Sequence, residues 1–172
     1  MLNEWGAGID IRYNSKPTLD HLIIQNNNAQ SGRGGGIAFY YAGETSILKD
    51  LIIRNNNCSD LGGAIYGGPF DLSNSQIYGN TGGTVLHFLN VPISNCVIYG
   101  NTGGSVFHSV GQEVLLNCTI VNNSGSISFN GMSAIINTIV GSGHPISNTG
   151  ILNISHSLIE DGENSIETIL GA

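Results

Sequence analysis

The feature that most constrains the fold of this chain is a segment of aliphatic residues, asparagines and glycines that is repeated along the sequence. Residues 22–28 are LIIQNNN and residues 51–57 are LIIRNNN, and a glycine pair and a further aliphatic segment follow each of them. Shorter versions recur along the chain at intervals of about 19–29 residues. A repeat of this length is typical of folds in which each repeat is one supersecondary unit that stacks on its neighbours.

Three aliphatic positions recur within the repeats. The column before the asparagines contains Ile24, Ile53, Ile77, Ile98, Ile120, Ile139 and Ile159. An earlier column contains Leu19, Leu48, Leu72, Ile93, Leu115, Ala134 and Ile154. The column after the glycines contains Ile9, Ile37, Ile65, Val85, Val106, Ile127, Ile146 and Ile166. Three short apolar segments per repeat predict three short strands per coil, and strands of successive coils should pair in parallel about 4.8 Å apart. We therefore predict an all-β, three-sided β-solenoid of about seven coils.

Asparagines and glycines occupy the positions where the chain must turn between strands. These residues adopt left-handed backbone conformations at the lowest energetic cost. Stacked corners also place asparagine amides above one another, so that each amide can donate to the next. We predict a structural ladder of Asn27, Asn56, Asn80, Asn101 and Asn123. We predict a second corner column of Asp50, Asn74, Asn95 and Asn117.

The composition argues against several functional classes. Charged residues make up 10% of the 172 residues, the formal net charge is −7, and no basic cluster is present. Nucleic acid is therefore not expected as a partner. No apolar segment approaches the roughly 20 residues of a membrane-spanning helix, so membrane insertion is not expected. No signal peptide is recognised at the N-terminus. We interpret residues 1–172 as a single β-helix domain.

Residues 55–67, NNNCSDLGGAIYG, carry a resemblance to known proteins. They resemble the repeats of polymorphic outer-membrane proteins, and the whole chain resembles the right-handed parallel β-helix proteins of the pectate-lyase-like superfamily. Residues 135–166 are similar to the closing coils of secreted β-helix proteins that bear a choice-of-anchor domain. The resemblance implies a right-handed β-helix and a bacterial extracellular or cell-surface location, and we expect a fragment of a longer secreted or surface protein. Because this architecture hosts lyases, hydrolases and adhesins, activity stays open.

The acidic residues do not form the pattern expected of an enzyme. Lyases of the superfamily bind calcium through several aspartates, and the glycosidases use clustered aspartates. In this chain no two aspartates are predicted on the same outward column of adjacent coils. Asp20 and Lys49 are predicted as outward neighbours on successive coils, which indicates a cross-strand ion pair. Arg54 is predicted to point outward beside Gln25 with no carboxylate nearby. We predict no catalytic residue, metal site or cofactor, although calcium is the one ion that the resemblance implies.

Two histidines are predicted to stack on adjacent coils. His87 and His108 each follow an aliphatic position of the third column by two residues. Phe39 and Phe129 share their predicted column, which favours an aromatic interior edge where the imidazoles pack. A metal site is the alternative, but no third ligand is evident.

The three cysteines, an odd number, do not predict a disulfide framework. Cys96 and Cys118 are predicted in one inward column with Ser75 and Ser157, where small size explains them. Cys58 is predicted to lie in a loop and to carry the only exposed thiol.

The outward-facing residues provide the functional hypotheses. Tyr78 and Tyr99 are predicted on one outward column, beside an outward row of Ile23, Ile52, Val97, Thr119, Thr138 and Leu158. A second stripe is predicted from Tyr66, Leu86 and Phe107. Such stripes are more exposed than solubility alone favours. Two interpretations follow: a loop, a flanking domain or a second copy of the chain covers the stripe, or Tyr78 and Tyr99 form a platform that stacks on sugar rings.

Three functions are compatible with these patterns. The first is a non-catalytic extracellular module for rigid display, adhesion, or binding of a polysaccharide or surface protein. The second is a polysaccharide lyase or glycoside hydrolase relative whose active site is degenerate or lies outside this chain. The third is a structural spacer that self-associates through its coil ends or its apolar stripe. The sequence favours a protein that is not an enzyme, and the second function stays open as an alternative.

Overall fold

The described part of the chain consists of strands and short connections wound into three parallel sheets. The computed structural model describes residues 6–30, 32–40, 43–88, 90–141, 143–160 and 166–168, with side chains described up to residue 160. No helix occurs in these ranges. Each coil contributes one strand to each sheet, and strands of successive coils pair in parallel.

Sheet I is the first and longest sheet. It contains β1 (Ile9–Arg12), β5 (Ile37–Tyr40), β9 (Leu61–Tyr66), β12 (Thr81–Phe88), β15 (Thr102–Val110), β18 (Ser126–Asn130), β21 (Ile146–Asn148) and β24 (Ile166–Thr168), with β4 (Asn28–Ala29) and β8 (Asn57–Cys58) joined at its side. Sheet II contains seven strands: β2 (Thr18–Asp20), β6 (Ser46–Lys49), β10 (Phe70–Ser73), β13 (Pro92–Ser94), β16 (Glu113–Leu116), β19 (Ser133–Ile136) and β22 (Leu152–Ser155). Sheet III also contains seven: β3 (Ile23–Gln25), β7 (Ile52–Arg54), β11 (Gln76–Tyr78), β14 (Val97–Tyr99), β17 (Thr119–Val121), β20 (Ile139–Val140) and β23 (Leu158–Ile159).

One hydrophobic core runs through the middle of the coils. Alternate residues of each strand point inward, because successive side chains of a strand lie on opposite faces. Ile53, Ile77 and Ile98 are fully buried and pair in register on sheet III. Phe70, Phe88 and Phe129 fill the interior between the sheets. The predicted all-β, three-sided parallel β-solenoid is therefore confirmed.

Near the C-terminal end, the sequence predicted the inward-facing residue one position away from the observed one in two strands. Ile120 pairs with Val140 and Leu115 pairs with Ile135, whereas the sequence columns contained Ile139 and Ala134. Coils differ in length, and a slip of one residue moves a side chain to the other face of the strand. Ile139 is accordingly 46% exposed.

The third predicted column is also out of register in the middle coils. Leu86 pairs with Ile65 and with Phe107, so these residues occupy the inward column that was predicted to hold Val85 and Val106. Register shifts occur just before Leu86 and Phe107. A bulge adds residues to one strand without adding them to its partner, and a fixed count along the sequence cannot locate it. The two valines are buried as well, next to the bulges.

The two asparagine columns form as predicted, with one difference in backbone conformation. The second corner column adopts left-handed backbone geometry, with φ of 53° at Asp50, 51° at Asn74, and 54° at both Asn95 and Asn117. In the ladder, the left-handed residue is instead the one before each ladder asparagine. These residues are Asn26, Asn55, Gly79, Gly100 and Asn122.

The predicted hydrogen bonds of the ladder are present. The Nδ2 atom of Asn27 donates to Oδ1 of Asn56 at 2.9 Å, and Asn56 donates to Asn80 at 3.0 Å. Asn80 donates to Asn101 at 3.0 Å, and Asn101 donates to Asn123 at 2.9 Å. The ladder is therefore structural, as the sequence predicts.

Candidate functional site

The outward face of sheet III carries two parallel rows of side chains, which we call the aliphatic row and the tyrosine row. The aliphatic row contains Ile23, Ile52, Gln76, Val97, Thr119, Ile139 and Leu158. The tyrosine row contains Gln25, Arg54, Tyr78, Tyr99 and Val121. Both rows follow from in-register pairing, which places equivalent residues of successive coils above one another.

The aliphatic row is strongly exposed at several positions. The exposed fraction is 58% for Ile23, 40% for Val97, 46% for Ile139 and 61% for Leu158. Thr138, which the sequence placed in this row, is instead buried at 1% exposure. Its place is taken by Ile139, because of the shifted register described above. The row is a mainly apolar strip at the surface, interrupted by the polar side chains of Gln76 and Thr119.

The tyrosine row contains an ordered stack. The rings of Tyr78 and Tyr99 are stacked with centroids 4.8 Å apart and planes 13° apart. The guanidinium carbon of Arg54 lies 5.9 Å from the centroid of the Tyr78 ring. Tyr78 is therefore contacted on its two faces by Arg54 and Tyr99. The other face of the Tyr99 ring lies toward Val121, its in-register neighbour on the next coil.

Arg54 is fixed in the tyrosine row by two neutral acceptors. Its Nε donates to Oε1 of Gln25 at 2.7 Å, and its Nη1 donates to the hydroxyl of Tyr78 at 2.8 Å. The predicted neighbourhood of Arg54 and Gln25 is confirmed. The row therefore presents aromatic edges, an amide and a guanidinium beside the aliphatic row.

The outward face of sheet I carries a different set of groups. Tyr66, His87 and His108 follow one another on successive coils, with ring centroids 5.2 Å and 5.1 Å apart and nearly parallel planes. Leu86 and Phe107, which the sequence placed outward with Tyr66, are fully buried, because the bulges turn them inward.

The predicted interior packing of the two histidines is wrong. His87 pairs in register with Tyr66, and both imidazoles are half-buried on the outward side of sheet I. The inward column with Phe39 and Phe129 contains Phe88 at the position of this coil, one residue after His87. The same shift in register explains the error.

Tyr66 and His87 lie beside an ion pair that the sequence did not predict. Arg33 donates from Nε to Oδ2 of Asp60 at 2.8 Å and from Nη1 to the Tyr66 hydroxyl at 2.5 Å. Burial, followed by the nearby charges of His108 and Arg33, lowers the pKa of His87 to about 4. His87 is therefore neutral at pH 7, and its buried Nδ1 has no hydrogen-bond partner. The arrangement brings a neutral imidazole close to a guanidinium, a carboxylate and a phenol on the outward side of sheet I.

A small polar cluster lies where sheet II meets sheet III. Ligand atoms of Asp20, His21 and Asp50 lie within 4.8 Å of one another, the one such group of three in the described ranges. The predicted ion pair is confirmed, since Nζ of Lys49 lies 2.9 Å from Oδ2 of Asp20. The hydrogen bond from Lys49 lowers the pKa of Asp20. Lys49 thus already supplies a positive charge to this cluster.

The cysteines are all buried. Cys96 and Cys118 lie in the predicted inward column, and burial raises the pKa of Cys96 to about 12. The prediction for Cys58 is wrong, because this residue lies in β8 against Ala29 and is 3% exposed. A two-residue strand in an asparagine-rich segment gives no clear period in the sequence. None of the three thiols is placed to act as a nucleophile, since burial also raises the pKa of Cys58 and Cys118.

The fold and these faces define a protein of the parallel β-solenoid class. The family model described as right-handed β-helix region matches residues 2–171, and the chain belongs to this family. The predicted right-handedness and the likeness to the pectate-lyase-like superfamily agree with this assignment. No significant match was found among curated proteins or among solved structures. No helix in the described ranges is long and apolar enough to cross a membrane.

Proposed function

We propose that this chain is a non-catalytic polysaccharide-binding module and that the ligand lies along the outward face of sheet III. One observation carries the proposal. The ordered row of Gln25, Arg54, Tyr78 and Tyr99 runs beside an exposed aliphatic row on the same face. We further propose that the module acts outside the cell, as the bacterial surface proteins that it resembles do.

The chemistry of the two rows suits a sugar chain. Sugar rings have C–H faces that pack on apolar surfaces, and the exposed aliphatic side chains and the half-buried Tyr99 ring supply such a surface. Sugar hydroxyls need donors and acceptors, which Arg54, Gln25 and the tyrosine hydroxyls supply. Both rows lie on hydrogen-bonded parallel strands, so little freedom is lost when a ligand binds.

The test is binding of wild-type protein and variants to a glycan array, followed by calorimetry with the best ligand. Tyr99→Ala removes the half-buried ring at the end of the tyrosine stack and should weaken binding about tenfold, since an aromatic contact contributes about 0.5–1.5 kcal/mol beyond its buried area. The double variant Tyr78→Ala/Tyr99→Ala should weaken it further. Tyr13→Asn is the matched control, because Tyr13 is 69% exposed outside sheet III and asparagine tolerates its φ of 48°.

Loss of binding in the sheet III variants but not in Tyr13→Asn supports the proposal. Unchanged binding in the double variant, or no glycan bound by the wild-type protein, contradicts it. Light scattering at each concentration separates glycan binding from self-association through the exposed aliphatic row. A dimer that Leu158→Asp abolishes would identify self-association as the use of this face.

A polysaccharide-acting enzyme is the second candidate, favoured by the groups that meet on sheet I. Asp60, Arg33, Tyr66 and the His87–His108 pair share one outward strip, and His87 is neutral at pH 7. The discriminating measurement is the release of reducing ends or unsaturated products from a polysaccharide panel. Activity that His87→Ala removes would favour the enzyme, and no activity on any substrate would favour the binding module.

A further inference from the structure

Among the described residues, not every cationic side chain of this acidic protein has a carboxylate partner. The chain has five lysines and arginines, all of them in described ranges. Four are paired with carboxylates: Arg12 with Asp10, Lys16 with Glu44, Arg33 with Asp60, and Lys49 with Asp20. Arg54 is the exception, since no carboxylate of the described residues lies within ion-pair distance of it.

The surroundings of Arg54 hold the side chain without neutralising its charge. Gln25 and the Tyr78 hydroxyl are neutral acceptors, at 2.7 and 2.8 Å from Nε and Nη1. The Tyr78 ring supports the guanidinium from one side, and Tyr99 in turn supports Tyr78. A guanidinium has five N–H donors. Two are used in these hydrogen bonds, so three remain on a side chain whose direction is already fixed.

We propose that Arg54 forms an oxyanion subsite on the sheet III face, which binds a carboxylate or a sulfate ester of the polysaccharide. The proposal rests on the function proposed above and adds the charge class of the ligand. Arginine is suited to this role because its planar fork matches the oxygens of such groups. Fixing the fork in advance lowers the entropic cost of the contact.

The position of the subsite also fits the remainder of the face. In the tyrosine row, Arg54 lies between Gln25 and Tyr78, one coil from each. A ligand along the row would therefore place its charged substituent on Arg54 and a ring two coils further on, against Tyr99. The aliphatic row beside it carries Ile52 on the same coil.

The experiment compares each anionic ligand with its neutral counterpart. Uronate and sulfated glycans that bind on the array are tested by calorimetry before and after carboxyl reduction or desulfation, so that the two arms identify the oxyanion. The variants are Arg54→Gln, which removes the charge, and Arg54→Lys, which keeps the charge without the fork. Lys16→Gln is the control for net charge, because it removes one exposed cation away from sheet III.

The expected result is a loss of about 10–100-fold in affinity for the anionic ligand in Arg54→Gln, the range for a hydrogen bond to a charged group. Arg54→Lys should lose less, and Lys16→Gln should change nothing beyond a weak effect that salt removes. Affinity for the neutral counterpart should fall much less in Arg54→Gln, because a neutral ligand loses at most a hydrogen bond to a sugar hydroxyl and no ionic contact. Circular dichroism and thermal unfolding verify that each variant is folded.

Three outcomes would overturn the subsite, and they differ from failure of the proposed function. If the wild-type protein binds the neutral and the anionic forms equally, the sheet III face binds glycans but has no oxyanion subsite. Equal losses for both forms in Arg54→Gln would make Arg54 a positioning residue for Tyr78. Anion selectivity that Arg54→Gln leaves intact would place the anion elsewhere. If wild-type protein binds no glycan of any charge, the polysaccharide-binding function itself is wrong.

Discussion

The ladder and the second corner column use the same residue type for different physical reasons. In the ladder, Asn80 is fully buried, donates to Asn101 and to the carbonyl of Ile53, and accepts from both the backbone and the side chain of Asn56. In the corner column, Asn95 has a left-handed backbone, and its exposed side chain accepts from Asn117 at 3.1 Å.

This difference separates a side-chain requirement from a backbone requirement. The ladder needs the amide, because buried backbone groups of adjacent coils depend on it. The corner column needs a residue that tolerates positive φ, and Asp50 occupies one of its positions without an amide. Three predictions test this distinction and a fourth tests a buried carboxyl outside both columns, from the largest expected effect to the smallest.

Asn80→Ala should lower the free energy of unfolding by about 3 kcal/mol or more. The change leaves the buried backbone N–H and Nδ2 of Asn56 and the carbonyl of Ile53 without their partner, and each such group contributes about 1–3 kcal/mol. Urea denaturation measures the effect. A change under about 1 kcal/mol would show that the ladder amides are replaceable.

Glu113→Gln tests an interior polar group outside the ladder. Glu113 is 1% exposed and receives long hydrogen bonds of 3.2 Å from Ser133 and 3.3 Å from the Asn90 backbone. Burial raises its pKa, so the folded state binds this proton more tightly than the unfolded state does. Its contribution to stability is full below the unfolded pKa and is lost as the pH rises through the folded pKa.

The variant should therefore be more stable than wild type by about 1 kcal/mol at pH 8, with the difference disappearing near pH 4. Thermal unfolding at both pH values measures this. A variant that is less stable at pH 8 would show that the ionised carboxylate is favourable in the core.

Asn95→Ala should destabilise the protein by about 1 kcal/mol, since alanine is strained at positive φ. Asn95→Gly should stay within about 0.5 kcal/mol of wild type, because glycine tolerates that backbone. Urea titrations of the pair measure the contrast. Equal effects of alanine and glycine would mean that the side chain, and not the backbone, matters at this corner.

His144→Asn should have the smallest effect, a gain of about 0.5 kcal/mol. His144 is 2% exposed, and its Nε2 accepts from the backbone of Asn123 at 3.4 Å while its Nδ1 faces the carbonyl of Gly125. His144 therefore lies at the end of the ladder, where its long hydrogen bond makes it a poor acceptor. An asparagine at this position would extend the ladder. His144→Leu is the control and should be destabilising. A loss of stability in His144→Asn would mean that the imidazole fits this coil better than an amide.

Part of the candidate site was predictable and part was not. Tyr78 and Tyr99 were predicted as outward neighbours because their coils have matching lengths and no bulge separates them. Leu86 and Phe107 were misplaced because bulges in sheet I shift the register. The same bulges are the reason that the sequence did not predict the outward position of His87 and His108. The contact of Arg33 with Asp60 joins segments 27 residues apart, and no repeat position predicts it.

The sequence by itself determined the solenoid, the three strands per coil and the chemistry of the corners. Those properties depend on a period and on backbone preferences, which are local. Only the tertiary structure decided which side chains lie on the surface near a bulge and how the stacked rings are arranged. It also decided how Gln25 and the Tyr78 hydroxyl hold the Arg54 guanidinium, because such contacts depend on distances between coils.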